Sequence, residues 1–213
     1  TTTLNFGPSH PATHGTLRIV VRLDGEKIVA AESECGYLHR CFEKMSETHT
    51  YTQVIPYTDR LNYCSPMING NGYARAVEQM LGVEIPPRAK AVRVVLSEFS
   101  RIMDHMVCIG ANLVDVGGLT TFWYSYQSRE EIYSLLEACC GARLTSSYAR
   151  IGGLSMDVPP DFVEWCRALS RKVETNIREV DTLLTKNRIL HKRMIGTGVV
   201  TKEQAIAWGF TGP

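Results

Sequence analysis

Leu17, Ile19, Val21 and Leu23 alternate with Arg18, Val20 and Arg22, the pattern breaks at Asp24-Gly25, and an extended run resumes from Ile28 to Ala31. Alternation with a period of two around a turn signal predicts a β-hairpin with one buried face. From about Leu38 the apolar period turns helical, and no strong strand signal follows. This change of period sets the fold class as α+β, mostly α, with an amino-terminal β-hairpin or small sheet packed on a helical bundle. Residues 1–36 are expected to form the hairpin region with a histidine-bearing loop, and residues 37–213 a helical body.

Within that body, Leu38, Cys41, Phe42 and Met45 predict a short helix leading into the polar segment Thr48 to Asp59. A second helix is expected within Tyr63 to Leu81, stopped by Gly82. A third starts at Pro86-Pro87, carries an apolar stripe through Val92, Leu96, Phe99, Met103 and Met106, and reaches Asp115 before Gly117-Gly118 ends it. A fourth is expected from about Ser128 to Cys140. Beyond Gly152-Gly153 and Pro159-Pro160, Asp161 is placed to cap a long amphipathic helix through about Leu184, and a shorter helix follows from Thr201 to Trp208.

With 213 residues and 44% apolar content, the chain is long enough to bury one core. Its 23 basic and 22 acidic residues leave a net charge of +1, which gives no electrostatic reason to bind nucleic acid or an anionic membrane surface. No run is long and apolar enough to span a bilayer, so any membrane association is expected to be peripheral. Thr1 to Gly7 lacks the pattern of a secretory signal and reads as a short extended segment, and a cytoplasmic or organelle-interior setting is expected. The seven cysteines include no Cys-x-x-Cys pair, and they are expected to be reduced, buried thiols rather than ligands of an intrinsic metal.

Three groups of residues carry possible chemistry. Residues 7–15 read GPSHPATHG, a stiff and sharply bent loop. A histidine titrates near neutrality, so His10 or His14 is suited to donate a proton or hydrogen bond to a ligand, and equally suited to cap the loop. Tyr57, Asp59, Arg60 and Tyr63 cluster in the run YTDRLNYCSP, where a phenol can hold a ligand carbonyl or simply anchor the start of a helix. Asp115 shares a helix face with Val107 and Ala111, so its carboxylate tops an apolar stripe and needs a partner. A histidine from elsewhere would make that pair a proton relay, and a plain helix-end hydrogen bond is the alternative. Arg40 and Arg60 carry fixed charges suited to tune a nearby redox centre or to form surface salt bridges.

In order, FGPSHPATHG, GYLHRCFEK, YTDRLNYCSPM, AVEQMLGVEIPPRA, SEFSRIMDH and DVGGLTTFW resemble the quinone-site subunit of respiratory complex I, the NADH:quinone oxidoreductase. This protein is called the 49 kilodalton subunit, or in bacteria the D-type subunit. The resemblance continues through YARIGGLSMDVP to GVVTKEQAIAWGFTG and so covers essentially the whole chain. Members of the family continue past this length, and the chain is expected to be the amino-terminal part of a longer subunit. The resemblance implies that Tyr63, His14 and Asp115 are the catalytic set, with His14 and Tyr63 on the quinone head group and Asp115 paired to the histidine. It places His10, Val107, Ala111 and Trp123 around the quinone, and Arg40 and Arg60 beside a 4Fe-4S cluster belonging to an adjacent subunit. The implied activity passes electrons from that cluster to quinone, coupled to proton translocation. NAD(H) would bind a different subunit. Quinone is the substrate, and the implied partners are other complex I subunits, especially the cluster-bearing neighbour and the membrane arm. The implied location is peripheral, on the cytoplasmic face of a bacterial membrane or the matrix face of the mitochondrial inner membrane.

The family is in turn similar to the large subunit of nickel-iron hydrogenases, and the bundle is expected to resemble that protein. The hydrogenase motif Arg-x-Cys-Gly-x-Cys falls on Arg60 to Ser65, with Asn62 and Ser65 at the thiolate positions and Tyr63 at the glycine. Nickel would lose both of those soft ligands. A membrane-bound hydrogenase-like large subunit is therefore the weaker reading, and a non-catalytic scaffold is opposed by the retained His14, Tyr63 and Asp115. Thr145 stands where many members of the family carry a histidine, which removes a titratable group expected close to the cluster.

Overall fold

Alternating apolar residues cannot satisfy their backbone alone, and here they pair. The chain begins with β1 (Thr2–Phe6), the two-residue strands β2 (Ser9–His10) and β3 (Gly15–Thr16), then β4 (Arg18–Asp24) and β5 (Lys27–Glu34). A computed structural model describes residues 1–211. The expected hairpin forms between β4 and β5, turning through Gly25 at φ +59° with Asp24 opposite Lys27. A third strand, β1, pairs antiparallel to the other side of β4, giving the order β1-β4-β5.

The expectation of one buried face is corrected. Of β4, Val21 alone is buried, while Ile28 and Val29 of β5 are 62% and 52% exposed. Among the described residues the sheet makes no extended contact with the helices, so it is not packed on the bundle as expected. Alternation reports that a sheet needs a cover; it does not say that the same stretch of chain supplies one.

The helical body follows in order as α1 (Phe42–Ser46), α2 (Tyr51–Thr58), α3 (Pro66–Leu81), α4 (Pro87–Asp115), α5 (Leu119–Cys140), the short strand pair β6 (Ala149–Arg150) and β7 (Gly153–Leu154), α6 (Phe162–Thr185), α7 (Arg188–Met194) and α8 (Lys202–Ala207). The segment expected to be polar linker is the helix α2, started by a capping box in which Thr50 and Gln53 exchange hydrogen bonds. Pro66 opens α3 inside the expected span of Tyr63 to Leu81, and Gly82, at φ +67°, closes it as expected. Asp161 occupies the amino-cap position of α6, but its side chain accepts no capping hydrogen bond there. Helix α5 starts nine residues ahead of the expected Ser128, because the run Phe122-Trp123-Tyr124 is apolar on every side and masks the period of 3.6.

The core lies where α4, α5 and α6 meet, around Leu96, Met103, Ile132, Leu136 and Leu169. Gly110 permits the close crossing of α4 over α5: a Cβ there would stand 3.3 Å from Cδ2 of Phe122. A buried ion pair ties α3 to α4 and to the β6–β7 turn. Arg93 donates to both carboxylate oxygens of Glu78 at 2.9 and 2.7 Å and to the carbonyls of Arg150 and Gly153, while Glu78 also accepts from the Gly152 N–H at 2.8 Å. Burial pushes the Glu78 carboxyl up, but the hydrogen bonds from Arg93 and Gly152 outweigh it and hold the group below its ordinary value.

The expectation of buried thiols is also corrected. Cys35, Cys41 and Cys108 are exposed, Cys64, Cys140 and Cys166 are half-buried, and Cys139 is buried. Burial pushes the Cys139 thiol up to about 12, which makes it inert at neutral pH. Among the described residues no group of three or more His, Cys, Asp or Glu side chains is placed to hold a metal ion. No helix among them is long and apolar enough to cross a membrane.

Candidate functional site

The histidine-bearing loop is fixed by its own backbone before any ligand is considered. Gly7 sits at φ +80°, and a Cβ there would lie 1.9 Å from the Leu17 carbonyl oxygen, so no other residue fits. Between β2 and β3 the chain makes a 3-10 turn over Pro11–Thr13. His10 caps that turn, its Nδ1 accepting the Ala12 N–H at 3.1 Å while its ring stands edge-on to Phe6. His14 ends the turn in the left-handed conformation, φ 49° and ψ 35°, which directs it away from the loop.

Its partner is Asp115. Nε2 of His14 lies 2.5 Å from Oδ2 of Asp115, and the two side chains are 41% and 45% exposed. An ionised carboxylate only accepts, so Nε2 carries the hydrogen and Nδ1 is left free to face a ligand. Asp115 is the last residue of α4, at the negative end of the helix dipole, where an acid is disfavoured unless a donor offsets it. The histidine supplies that donor across 101 positions of chain.

Tyr63 is brought to the same helix from the other direction. Asn62 to Ser65 form a turn closed by the Ser65 N–H on the Asn62 carbonyl at 3.1 Å, with Tyr63 at its tip and 53% exposed. Asn62 Nδ2 and Ser65 Oγ both donate to a single oxygen, Oδ2 of Asp104, at 2.7 and 3.1 Å. Asp104 and Asp115 are eleven positions apart on α4, which places them about 16 Å apart along the axis and within about 20° of each other around it. Val107, Cys108 and Ala111 fall between them on that side of the helix, half-buried or exposed. One face of α4 therefore carries the Tyr63 turn at one end, the His14–Asp115 pair at the other, and small or apolar side chains between.

Trp123, near the start of α5, is 63% exposed and meets Phe122 edge to face at 5.5 Å. Arg40 is exposed, and Arg60 donates to the Pro56 carbonyl at 2.6 Å. Asp59 is buried and accepts from the N–H and hydroxyl of Ser147; burial raises its carboxyl despite those bonds. A small apolar cavity of about 180 Å³, lined by Ile102, Met106, Ile109 and Ile177, lies on the side of α4 away from the Asp104–Asp115 face. The larger groove, about 1040 Å³, runs beside α1, α2 and α3 and is lined by Phe42, His49, Tyr51 and Tyr73. Neither holds His14, Tyr63 or Asp115. Asp104 is not among the residues to which the sequence points, although a spacing of eleven from Asp115 is itself a helical signal, and its donors Asn62 and Ser65 are singled out there only as the positions matching hydrogenase thiolates.

Residues 115–213 match the family described as respiratory-chain NADH dehydrogenase, 49 Kd subunit. Over that segment the chain is similar to this family of 49 kilodalton, or D-type, subunits, and relatives extend the similarity over nearly the whole chain. It is 52% identical over 210 residues to the C/D-type subunit of the NADH-quinone oxidoreductase of Bdellovibrio bacteriovorus, an alignment covering 99% of this chain and 38% of that protein. Against the D-type subunit of the NADH-quinone oxidoreductase of Desulforamulus reducens it is 49% identical, and against that of Clostridium beijerinckii 44%, covering 99% of this chain and 57% of the relative in each case. The chain thus spans between about two fifths and three fifths of the length of these curated relatives.

Proposed function

We propose that this chain forms the quinone head-group site of a proton-translocating NADH:quinone oxidoreductase, as part of its 49 kilodalton subunit. The observation that carries the reading is the hydrogen-bonded His14–Asp115 pair on the same face of α4 as the turn bearing Tyr63. A quinone head group lies over the Cys108–Ala111 stretch, with the exposed Tyr63 phenol donating to one carbonyl oxygen and His14, in the imidazolium form that carries a hydrogen on Nδ1 as well, donating to the other. Val107 and Trp123 supply apolar flanks, and His10 holds the loop in shape through Ala12. The open face is closed in the complex by the cluster-bearing neighbour and the membrane arm.

Reduction consumes two electrons and two protons. The two electrons would arrive one at a time through a 4Fe-4S cluster held by an adjacent subunit, which would be re-reduced between transfers at the expense of NADH oxidised on another subunit, and Arg40 and Arg60 would place fixed positive charge beside it. As negative charge grows on the quinone oxygens, His14 in its imidazolium form gives one proton from Nδ1, and Asp115 holds the ring in place through Nε2. The Tyr63 phenol gives the second and is reprotonated from solvent. Asn62 and Ser65, the positions where a hydrogenase would need thiolates, are instead engaged with Asp104, which weighs against a hydrogenase-like reading.

Asp115→Asn tests the reading. The amide keeps the size of the side chain but loses the charge-assisted hydrogen bond to His14, a loss of about 1.5 kcal/mol, or about tenfold in rate. Quinone reduction by the assembled enzyme should fall by about that factor, while electron transfer to hydrophilic acceptors upstream stays normal. Unchanged quinone turnover would show that the pair is only a surface contact.

A further inference from the structure

The side chain that holds the Tyr63 turn belongs to none of the residues assigned above to quinone. We infer that Asp104 is a positioning residue, clamping the Asn62–Ser65 turn to α4 so that Tyr63 stands where quinone is reduced; this rests on the reading of Tyr63 as a quinone donor.

Two hydrogen bonds meet at one atom. Asn62 Nδ2 and Ser65 Oγ, the first and fourth residues of the turn, both donate to Oδ2 of Asp104, and Asn62 Nδ2 also lies 2.6 Å from Ser65 Oγ. Ser65 is 3% exposed, so water competes less for its bond to Asp104 than for the exposed bond from Asn62. Tyr63, between the two clamped residues, is 53% exposed and takes its place from the turn that carries it. The turn is braced a second time by Asn69 of α3, whose Nδ2 donates to the Asn62 carbonyl at 3.0 Å. Burial raises the neighbouring Cys64 thiol and the Asp104 carboxylate raises it further, while Arg129 opposes both, which sets Asp104 and Arg129 against the same turn.

Because both donors end on one oxygen, the clamp needs an acceptor at that point and does not need a charge. An asparagine at 104 keeps an amide oxygen there, whereas a leucine of similar size leaves Asn62 and Ser65 without their partner. Asp104 therefore acts by geometry and is not itself a proton donor to quinone.

The test compares Asp104→Leu, Asp104→Asn, Tyr63→Phe and the double variant Asp104→Leu/Tyr63→Phe in the assembled enzyme. Turnover with quinone is followed together with hydrogen exchange at the Ser65 amide, which closes the turn. Asp104→Leu is expected to speed Ser65 exchange at least tenfold and to lower kcat for quinone about tenfold. Asp104→Asn should stay within about twofold on both measures. Adding Asp104→Leu to Tyr63→Phe should bring little further loss, since a misplaced ring without its phenol has nothing left to lose. Hydrophilic acceptors upstream should be reduced at the normal rate, which separates the effect from misfolding. Unchanged Ser65 exchange in Asp104→Leu, equal losses in the Leu and Asn variants, or full additivity with Tyr63→Phe would each overturn the positioning role. An inert Tyr63→Phe would overturn the assignment of Tyr63 to quinone instead, and the exchange data would still decide whether Asp104 holds the turn.

Discussion

Tyr63→Phe in the assembled enzyme is expected to lower quinone turnover by roughly thirtyfold or more. The change keeps the ring and deletes one hydroxyl, and that hydroxyl is exposed at the tip of its turn, so folding and assembly should survive. A preorganised donor aimed at charge that develops in the transition state is worth about 2 to 4 kcal/mol, and each 1.4 kcal/mol or so is a factor of ten in rate. The loss should fall mainly on kcat, because the bond strengthens as the quinone oxygen becomes negative. Reduction of the cluster in the neighbouring subunit should proceed normally. Equal turnover at saturating and limiting quinone in both enzymes would make the phenol structural.

Breaking the buried pair between α3 and α4 should have the largest effect on stability. Arg93→Leu leaves the Glu78 carboxylate, 4% exposed, without the cation that holds it, and removal of one partner from such a pair typically costs about 3 to 5 kcal/mol. For a chain of this size that corresponds to a fall in Tm of about 6 to 20 °C, readable by thermal unfolding. The pH dependence fixes the cause. In the parent chain Glu78 has a lowered carboxyl pKa, so its contribution is fully present above the unfolded value of about 4.3 and is lost as pH falls through the folded value. In the variant, burial without Arg93 raises the same carboxyl, and protonation on acidification relieves the penalty. The gap in stability between the two proteins should therefore narrow from pH 7 towards pH 4. A gap that stays constant over that range would assign the loss to packing instead of charge.

How much of this fold is legible in the sequence depends on whether the signal is local. The β4–β5 hairpin, the limits of α3 and the extent of α4 can be read from alternation, from Gly82 and from Pro86-Pro87, all of which act on their immediate neighbours. Strand β1 is legible as an extended segment within Thr1 to Gly7, but its pairing with β4 is not, because TTLNF has one strong alternating pair at most and carries no local signal of its partner. Helix α2 is hidden by its polar composition and by Pro56, and the early start of α5 by an aromatic run without periodicity. The exposed sheet shows the same limit from the other side, since a hairpin pattern carries no information on where its cover comes from.

The site divides in the same way. That Asp115 needs a partner follows from a carboxylate above an apolar stripe, and the structure supplies His14. That His14 and not His10 is that partner does not follow from chemistry, because the choice is made by the 3-10 turn, which uses His10 as its cap and swings His14 outward. Asp104 gives no local signal of its role, because its spacing from Asp115 reports only a shared helix face and its work is a long-range contact to Asn62 and Ser65, about forty positions earlier in the chain.

The most direct test of the proposed quinone site is a structure of the assembled enzyme with quinone bound. One head-group oxygen is expected within about 3.2 Å of the Tyr63 hydroxyl and the other within the same distance of His14 Nδ1, over the Cys108–Ala111 stretch of α4. A head group seated elsewhere, with neither Tyr63 nor His14 within hydrogen-bond reach, would contradict the assignment.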